Sequence, residues 1–319
     1  MKNKSVLLLF FISQIITNCT YNLKKIKRMY KDGSREEYAI DKDSLIQGKM
    51  IGYYPNNSLD YIALYKNGKK IDSTIYYYKS TDKKVKLIKH WKSDKEIYYK
   101  AFYTNGSLSE EGLAERNSLL RKGIWKFYND NGTLNYTKEF KKIRGKSYTN
   151  QLWVMLQTGD TINEGTNMKY KVHPRKLKLG DSIRFFFQSD VSQYRNKSDF
   201  FVEIPKDYTK ENFDPEFYNQ QGLTQKGIPT QRILSLKYNT KYRTEKTKID
   251  TADHKKTVVF YLKPKRIGND TIRGYFNEVV NMTPGQHNLE EYIDKTKNNM
   301  MTTETRTIYF DIPIQVTPR

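Results

Sequence analysis

Turn-forming pairs recur along the first half of this chain at nearly constant spacing: Asp32-Gly33, Asn56-Asn57, Asp82-Lys83, Asn105-Gly106 and Asn131-Gly132. Counted on Gly33, Asn57, Asp82, Gly106 and Gly132, the steps are 24, 25, 24 and 26 residues. A fixed period of this length means an array of small like units, each of which hides its apolar side only against its neighbours. The fifth unit is the plainest: Gly123-Ile124-Trp125-Lys126-Phe127-Tyr128, then Asn129-Asp130-Asn131-Gly132, then Thr133-Leu134-Asn135-Tyr136. Alternation puts Trp125 and Phe127 on one face, and the Asn-Gly pair predicts a tight hairpin turn with both central residues at positive φ.

Seven residues before each turn position stand Ile26, Met50, Ile75, Tyr99 and Trp125, and two residues after it Leu59, Leu108 and Leu134 recur. Fixed offsets predict that these side chains share one face of a continuing sheet. A second turn series, Asn67-Gly68, Ser93-Asp94, residues 117–120 and Arg144-Gly145, falls between the first. Each repeat is therefore two strands, and the array is an antiparallel meander. Residues 109–122 also allow a short helix.

After residue 146 the period is lost. Apolar runs at 169–172, 182–188, 200–204, 233–238, 257–262, 271–280 and 307–316 predict seven strands and an immunoglobulin-like β-sandwich, with a further open sheet packed on the array as the alternative. The expected fold is all-β: residues 1–18 a signal peptide, 19–150 the hairpin array and 151–319 the sandwich. Residues 206–230 read as a long polar loop. Residues 288–298 read as a short helix, with Asn288 as N-cap and Glu290 and Glu291 at its positive end.

The composition fits strands. Hydrophobic residues are 37% of the chain, so its apolar area comes largely from 26 Tyr and 15 Phe. The net charge of +22 is spread over the whole length, through Lys24–Arg28, Lys83–Lys89, Lys141–Lys146, Arg175–Lys178 and Lys263–Arg266. That spread reads as a solvated basic surface, not a nucleic-acid footprint.

Lys2 and Lys4 precede an apolar run at 6–16, the outline of a secretory signal too short to span a bilayer. It ends in Ile16-Thr17-Asn18-Cys19, which resembles a bacterial lipobox, with Asn18 where Gly, Ala or Ser is usual. Cys19 is the only cysteine, so it forms no internal disulfide. Lipidation at Cys19 and a membrane-anchored place in the cell envelope, on the periplasmic or surface side of the outer membrane, are the expectation.

The units also resemble the MORN-repeat variant family, including its YwqK-like members, through Gly123-x-Trp125-x-x-Tyr128 with Asn131-Gly132 and Leu134. Weaker copies are Gly48-x-Met50-x-x-Tyr53 with Asn56-Asn57 and Leu59, and Phe102-Tyr103-Thr104-Asn105-Gly106 with Leu108. The resemblance implies a binding or scaffold surface, not an enzyme.

No catalytic, metal or cofactor constellation is legible. His90, His173, His254 and His287 stand in separate segments, and no phosphate loop, dinucleotide fingerprint or nucleophile elbow occurs. The candidate binding face is Tyr54, Tyr65, Tyr76, Tyr78 and Tyr98, for an envelope protein partner or, alternatively, an envelope glycan or anionic lipid; a hydrolase whose site the sequence does not show is the lesser alternative.

Overall fold

The computed structural model describes residues 23–156, 158, 160–194, 197–220, 227–243, 249–280 and 305–319. The signal segment, Cys19 and the expected helix at 288–298 lie outside the described residues. The chain forms two compact units, divided between Lys83 and Lys84.

In the first unit, β1 (Lys24–Met29), β2 (Arg35–Ile40), β3 (Ile46–Tyr53), β4 (Leu59–Lys66) and β5 (Lys69–Tyr77) pair in sequence order, all antiparallel. In the second, β6 (Val85–Trp91), β7 (Glu96–Phe102), β8 (Leu108–Glu115), β9 (Arg121–Tyr128), β10 (Leu134–Ile143) and β11 (Lys146–Met155) also pair in sequence order, all antiparallel. Residues 109–122 are strand and turn, and Leu59, Leu108 and Leu134 each open a strand.

The main turns differ from expectation in kind. Gly33, Asn57, Lys83, Gly106 and Gly132 all have positive φ, but the residue before each does not. The Gly132 N–H donates to the Asn129 carbonyl and the Asn129 N–H to the Thr133 carbonyl, the pattern of a type I turn closed by a left-handed bulge residue. Asp32, Asn56, Asn105 and Asn131 each use the freed side chain as a clip. Its Oδ1 accepts from both the backbone N–H and the hydroxyl of Ser34, Ser58, Ser107 or Thr133. The two-residue turn with both φ positive does occur, in the other series, at Asn67-Gly68 and Arg144-Gly145.

The third turn also corrects the register. Its left-handed residue is Lys83, not Asp82. Ile75 pairs with Ile62, whereas Met50, Ala63 and Thr74 line up across the opposite face. Tyr76, seven residues before Lys83, is the side chain on that opposite face.

Within the second unit the meander runs directly into a β-sandwich. The long β12 (Thr161–His173) pairs with β11 through its first half and with β14 (Ile183–Val191) through its second, and β17 (Thr257–Leu262) follows β14. The facing sheet has the order β13 (Lys176–Lys178), β19 (Thr305–Thr317), β18 (Gly268–Val280), β15 (Ser198–Pro205), β16 (Thr230–Leu234). β13 and β19 are parallel, and the rest of this sheet is antiparallel. Phe185, Phe187 and Phe260 stack from one sheet, and Phe187 meets Phe276 and Phe310 of the other with ring centres 6.2 and 4.7 Å away. All seven expected strands are present, with the fourth beginning and ending earlier in the sequence.

The described part of the 206–230 loop is packed. Phe213 and Phe217 are fully buried against Ile143, Tyr275 and Tyr309 on the far side of the second sheet. Its Glu216 carbonyl accepts from the Arg144 N–H and its carboxylate from the Gly145 N–H. The β10–β11 hairpin is fastened to the same sheet by Asn150, whose amide exchanges two hydrogen bonds with the Tyr309 backbone, at 2.8 and 3.0 Å.

Candidate binding faces of the repeat array

No buried hydrophobic cluster among the described residues includes a side chain of the first unit. A sheet five strands wide is instead covered by its own aromatic side chains, which lie down on small residues. Met50, Ala63 and Thr74 are buried in a row across β3, β4 and β5. The Tyr61 ring lies on Gly52, where a Cβ would sit 2.3 Å from a ring carbon. Tyr76 tilts against Tyr61 at 5.8 Å, and Lys70 lies 5.9 Å from the Tyr65 ring centre.

The hydroxyl of Tyr61 donates to one oxygen of Glu36 and that of Tyr30 to the other, each at 2.5 Å. Burial, together with the Glu36 hydrogen bond, holds the Tyr61 phenol far above its ordinary pKa, and burial alone leads the upward shift of Tyr65 and Tyr76. These phenols stay neutral donors at any physiological pH.

Of the five expected binding residues, the structure brings Tyr65 and Tyr76 together on this face, and it adds Tyr61. Tyr54 is engaged within the fold: its hydroxyl donates to the Tyr77 carbonyl at 3.0 Å, and burial, with Asp60 beside it, pushes its pKa up to about 12. Tyr78 follows the end of β5 and is half-buried. Tyr98 belongs to the second unit, on the face of β7 opposite Ile97 and Tyr99, with Lys92 and Lys100 each about 6 Å from its ring.

The second unit repeats the device on a larger scale. The Trp125 ring lies on Gly112, where a Cβ would sit 2.4 Å from it, and its indole N–H donates to the Leu113 carbonyl at 2.7 Å. Ile97 and Ala114 are buried in the same cluster, with Phe127, Phe140 and Tyr99 around the indole. Cations lie over these rings. Arg121 is 4.4 Å from Trp125 and held by Glu110 at 2.7 Å, Arg116 is 4.7 Å from Trp91, and Lys138 is 5.0 Å from Tyr136.

The rungs are also stitched from one repeat to the next. The Tyr103 hydroxyl donates to the Tyr128 carbonyl, as Tyr54 does to Tyr77, and the Asn105 amide donates to the Asp130 carbonyl. Gly48 and Gly123, the leading glycines of the two best repeats, both have positive φ with open space around the missing Cβ. A family model described as the MORN repeat variant matches residues 46–67 and 121–142, the β3–β4 and β9–β10 hairpins. The chain contains MORN repeats.

Met50 and Trp125 are thus the same MORN position filled with different volume. In the Met50 repeat the ring of the next strand, Tyr61, lies on Gly52, a position that Phe127 fills in the Trp125 repeat, where it stacks on Tyr136. No curated protein matches the chain. Among solved structures, a Salmonella alpha-2-macroglobulin mutant is similar over 92% of this chain and 21% of that one, at 7% identity and a TM-score of 0.17. This chain spans about a fifth of that structure's length. A likeness at that score carries no argument.

Glu36, Gly52, Gly112 and Arg121 complete these faces, and sequence reasoning missed all four. The readable signal was the glycine directly before or after an alternating strand position, opposite an aromatic on the next strand.

Proposed function

We propose that this chain is an exported, lipid-anchored cell-envelope protein whose MORN array is a non-enzymatic binding or scaffold surface for a protein partner. The observation that carries this reading is the tiled face of the first unit. Tyr61, Tyr65 and Tyr76 share the face that carries the buried row Met50, Ala63 and Thr74, with the Tyr61 ring lying on Gly52 and its hydroxyl fixed by Glu36. Tyrosines held in this way offer broad apolar area and a polar rim at little entropic cost, which is why they are enriched at protein interfaces. Envelope extract passed over the immobilised protein is expected to yield a partner that a Tyr65→Ser/Tyr76→Ser column loses. Equal recovery on both columns refutes the assignment of the face.

The export and anchoring part rests on Lys2, Lys4, the apolar run and Cys19. Intact mass of the membrane form is expected to show acyl chains on Cys19, and a free thiol there refutes it. An anionic glycan is a second reading, favoured by the cations seated over Trp91, Trp125 and Tyr136. It predicts salt-sensitive retention on an immobilised anionic glycan, abolished in Arg116→Gln/Arg121→Gln.

A further inference from the structure

In the sandwich, β12, β14 and β17 face a sheet of five strands, and β17 and β16 are the edge strands of the two sheets. The two edges meet where the Leu236 N–H donates to the Thr257 carbonyl at 2.8 Å. Past that bond a groove of about 440 Å³ opens between Gln231–Leu234 and Phe260–Leu262. β15 is buried at every residue, whereas β16 beside it is only half-buried throughout. Ile233 and Tyr242 reach the sandwich core only in part, and Tyr242 tilts against Tyr261 at 5.4 Å.

Backbone direction alternates along a strand, so bonds made at the ends of β17 fix which way its middle points. The Thr257 carbonyl turns away from β14 to Leu236, and the Lys263 N–H and carbonyl both bond the Tyr208 hydroxyl, at 2.8 and 3.1 Å. Val259 and Tyr261 therefore point the same way, and among the described residues neither has a backbone partner on that side. On β16 the Ser235 N–H donates to the Phe200 carbonyl of β15, so Arg232 and Leu234 turn their backbone groups away from β15. An edge closed at both ends and open in its middle, over an apolar floor, suits an extended peptide that adds a strand. Charge narrows the choice. The described lining holds no carboxylate, and Arg232 is engaged by Glu203. Lys241 on the groove and Lys263 beside it are exposed, with no carboxylate partner among the described residues.

We propose that this groove takes an extended acidic peptide of a partner protein as a further strand on β17. Its backbone pairs with Tyr261, its alternate apolar side chains lie on Ile233, Tyr242 and Leu262, and its carboxylates meet Lys241 and Lys263. A second copy is a poor donor, because the other edge strand of the long sheet, β1, reads Lys24-Lys25-Ile26-Lys27-Arg28-Met29 and would set four cations against these lysines. The groove belongs to the second unit and shares no residue with the tyrosine face, so either fails without the other.

The probe is a synthetic peptide with blocked ends, Asp-Ile-Thr-Val-Ser-Ile-Glu, added to the full chain and followed by amide hydrogen exchange. The Tyr261 amide is expected to exchange fast in the free protein and at least about ten-fold more slowly with the peptide, while those of Phe260 and Leu262, which face β14, are slow in both. A peptide with Pro for the central Val should give no protection. One with Lys for both acids should bind about ten-fold more weakly, and Lys241→Glu should reverse that preference. A Tyr261 amide left unprotected at millimolar acidic peptide overturns the proposal, as does equal binding of the acidic and basic peptides. Protection in the free protein at every concentration would show the groove filled by the chain itself, and protection that grows with protein concentration a second copy; either result overturns it.

Discussion

Gly112→Ala should be one of the costliest single-methyl additions in the array. Gly112 does not occupy the left-handed region, so the backbone itself accepts alanine. In most such places the change stabilises by about 0.4–1 kcal/mol through the unfolded chain. Here the new Cβ lands 2.4 Å from Trp125 Cγ, and the indole must lift. Overpacking costs about 1–3 kcal/mol, and losing the indole N–H bond to Leu113 about 1 more, giving a net loss of about 2–3 kcal/mol. Trp91, Trp125 and Trp153 all lie in the second unit, so urea unfolding followed by tryptophan emission reports that unit. The cost should fall below about 1 kcal/mol in a Trp125→Leu background. Gly106→Ala, at φ +91° with no atom near its missing Cβ, should cost about 1 kcal/mol in either background. A Gly112→Ala penalty that is the same with and without Trp125 would refute the covering mechanism.

Phe217→Ala should destabilise the second unit by about 3–5 kcal/mol, because the ring is fully buried against Tyr309 and Phe213; chemical denaturation checks it, and a loss under 1 kcal/mol would return residues 206–220 to the status of a loose loop. Asn150→Leu should cost about 2–4 kcal/mol by leaving both Tyr309 backbone groups without their partner, again read by denaturation. The Asp32 clip should respond to acid while the Asn clips do not. Ser34 hydrogen bonds hold the Asp32 carboxyl below its ordinary value, so its contribution is present above the unfolded pKa and is lost as pH falls through the folded one. The Ser34 amide resonance should therefore titrate in that acid range, and those of Ser58 and Ser107 should not.

The ladder was legible because backbone chemistry repeats: left-handed residues at Gly33, Gly106 and Gly132 leave a mark that side-chain variation cannot erase. The turn type was misread because Asn-Gly serves two geometries, and only Ser34, Ser58, Ser107 and Thr133 two residues after each clip distinguish them. The register of the third rung failed at a single residue, since Asp82 and Lys83 look alike as turn formers and a slip of one reverses every face. Seven sandwich strands could be found from apolar runs, yet the burial of Phe213 and Phe217 could not, because Ile143, Tyr275 and Tyr309 lie far from them along the chain. The binding face was half legible: alternation gives a tyrosine's side of the sheet, but not that Tyr54 spends its hydroxyl on the Tyr77 carbonyl.

Photo-crosslinking in living cells measures most directly whether the tyrosine face of the first unit meets a protein. A photoreactive residue at Tyr65 or Tyr76 is expected to give one discrete protein adduct, and one at Ile51 or Ile62 on the opposite face to give far less of it. Adducts of equal yield from both faces, or none from the tyrosine face, would contradict the assignment of that face.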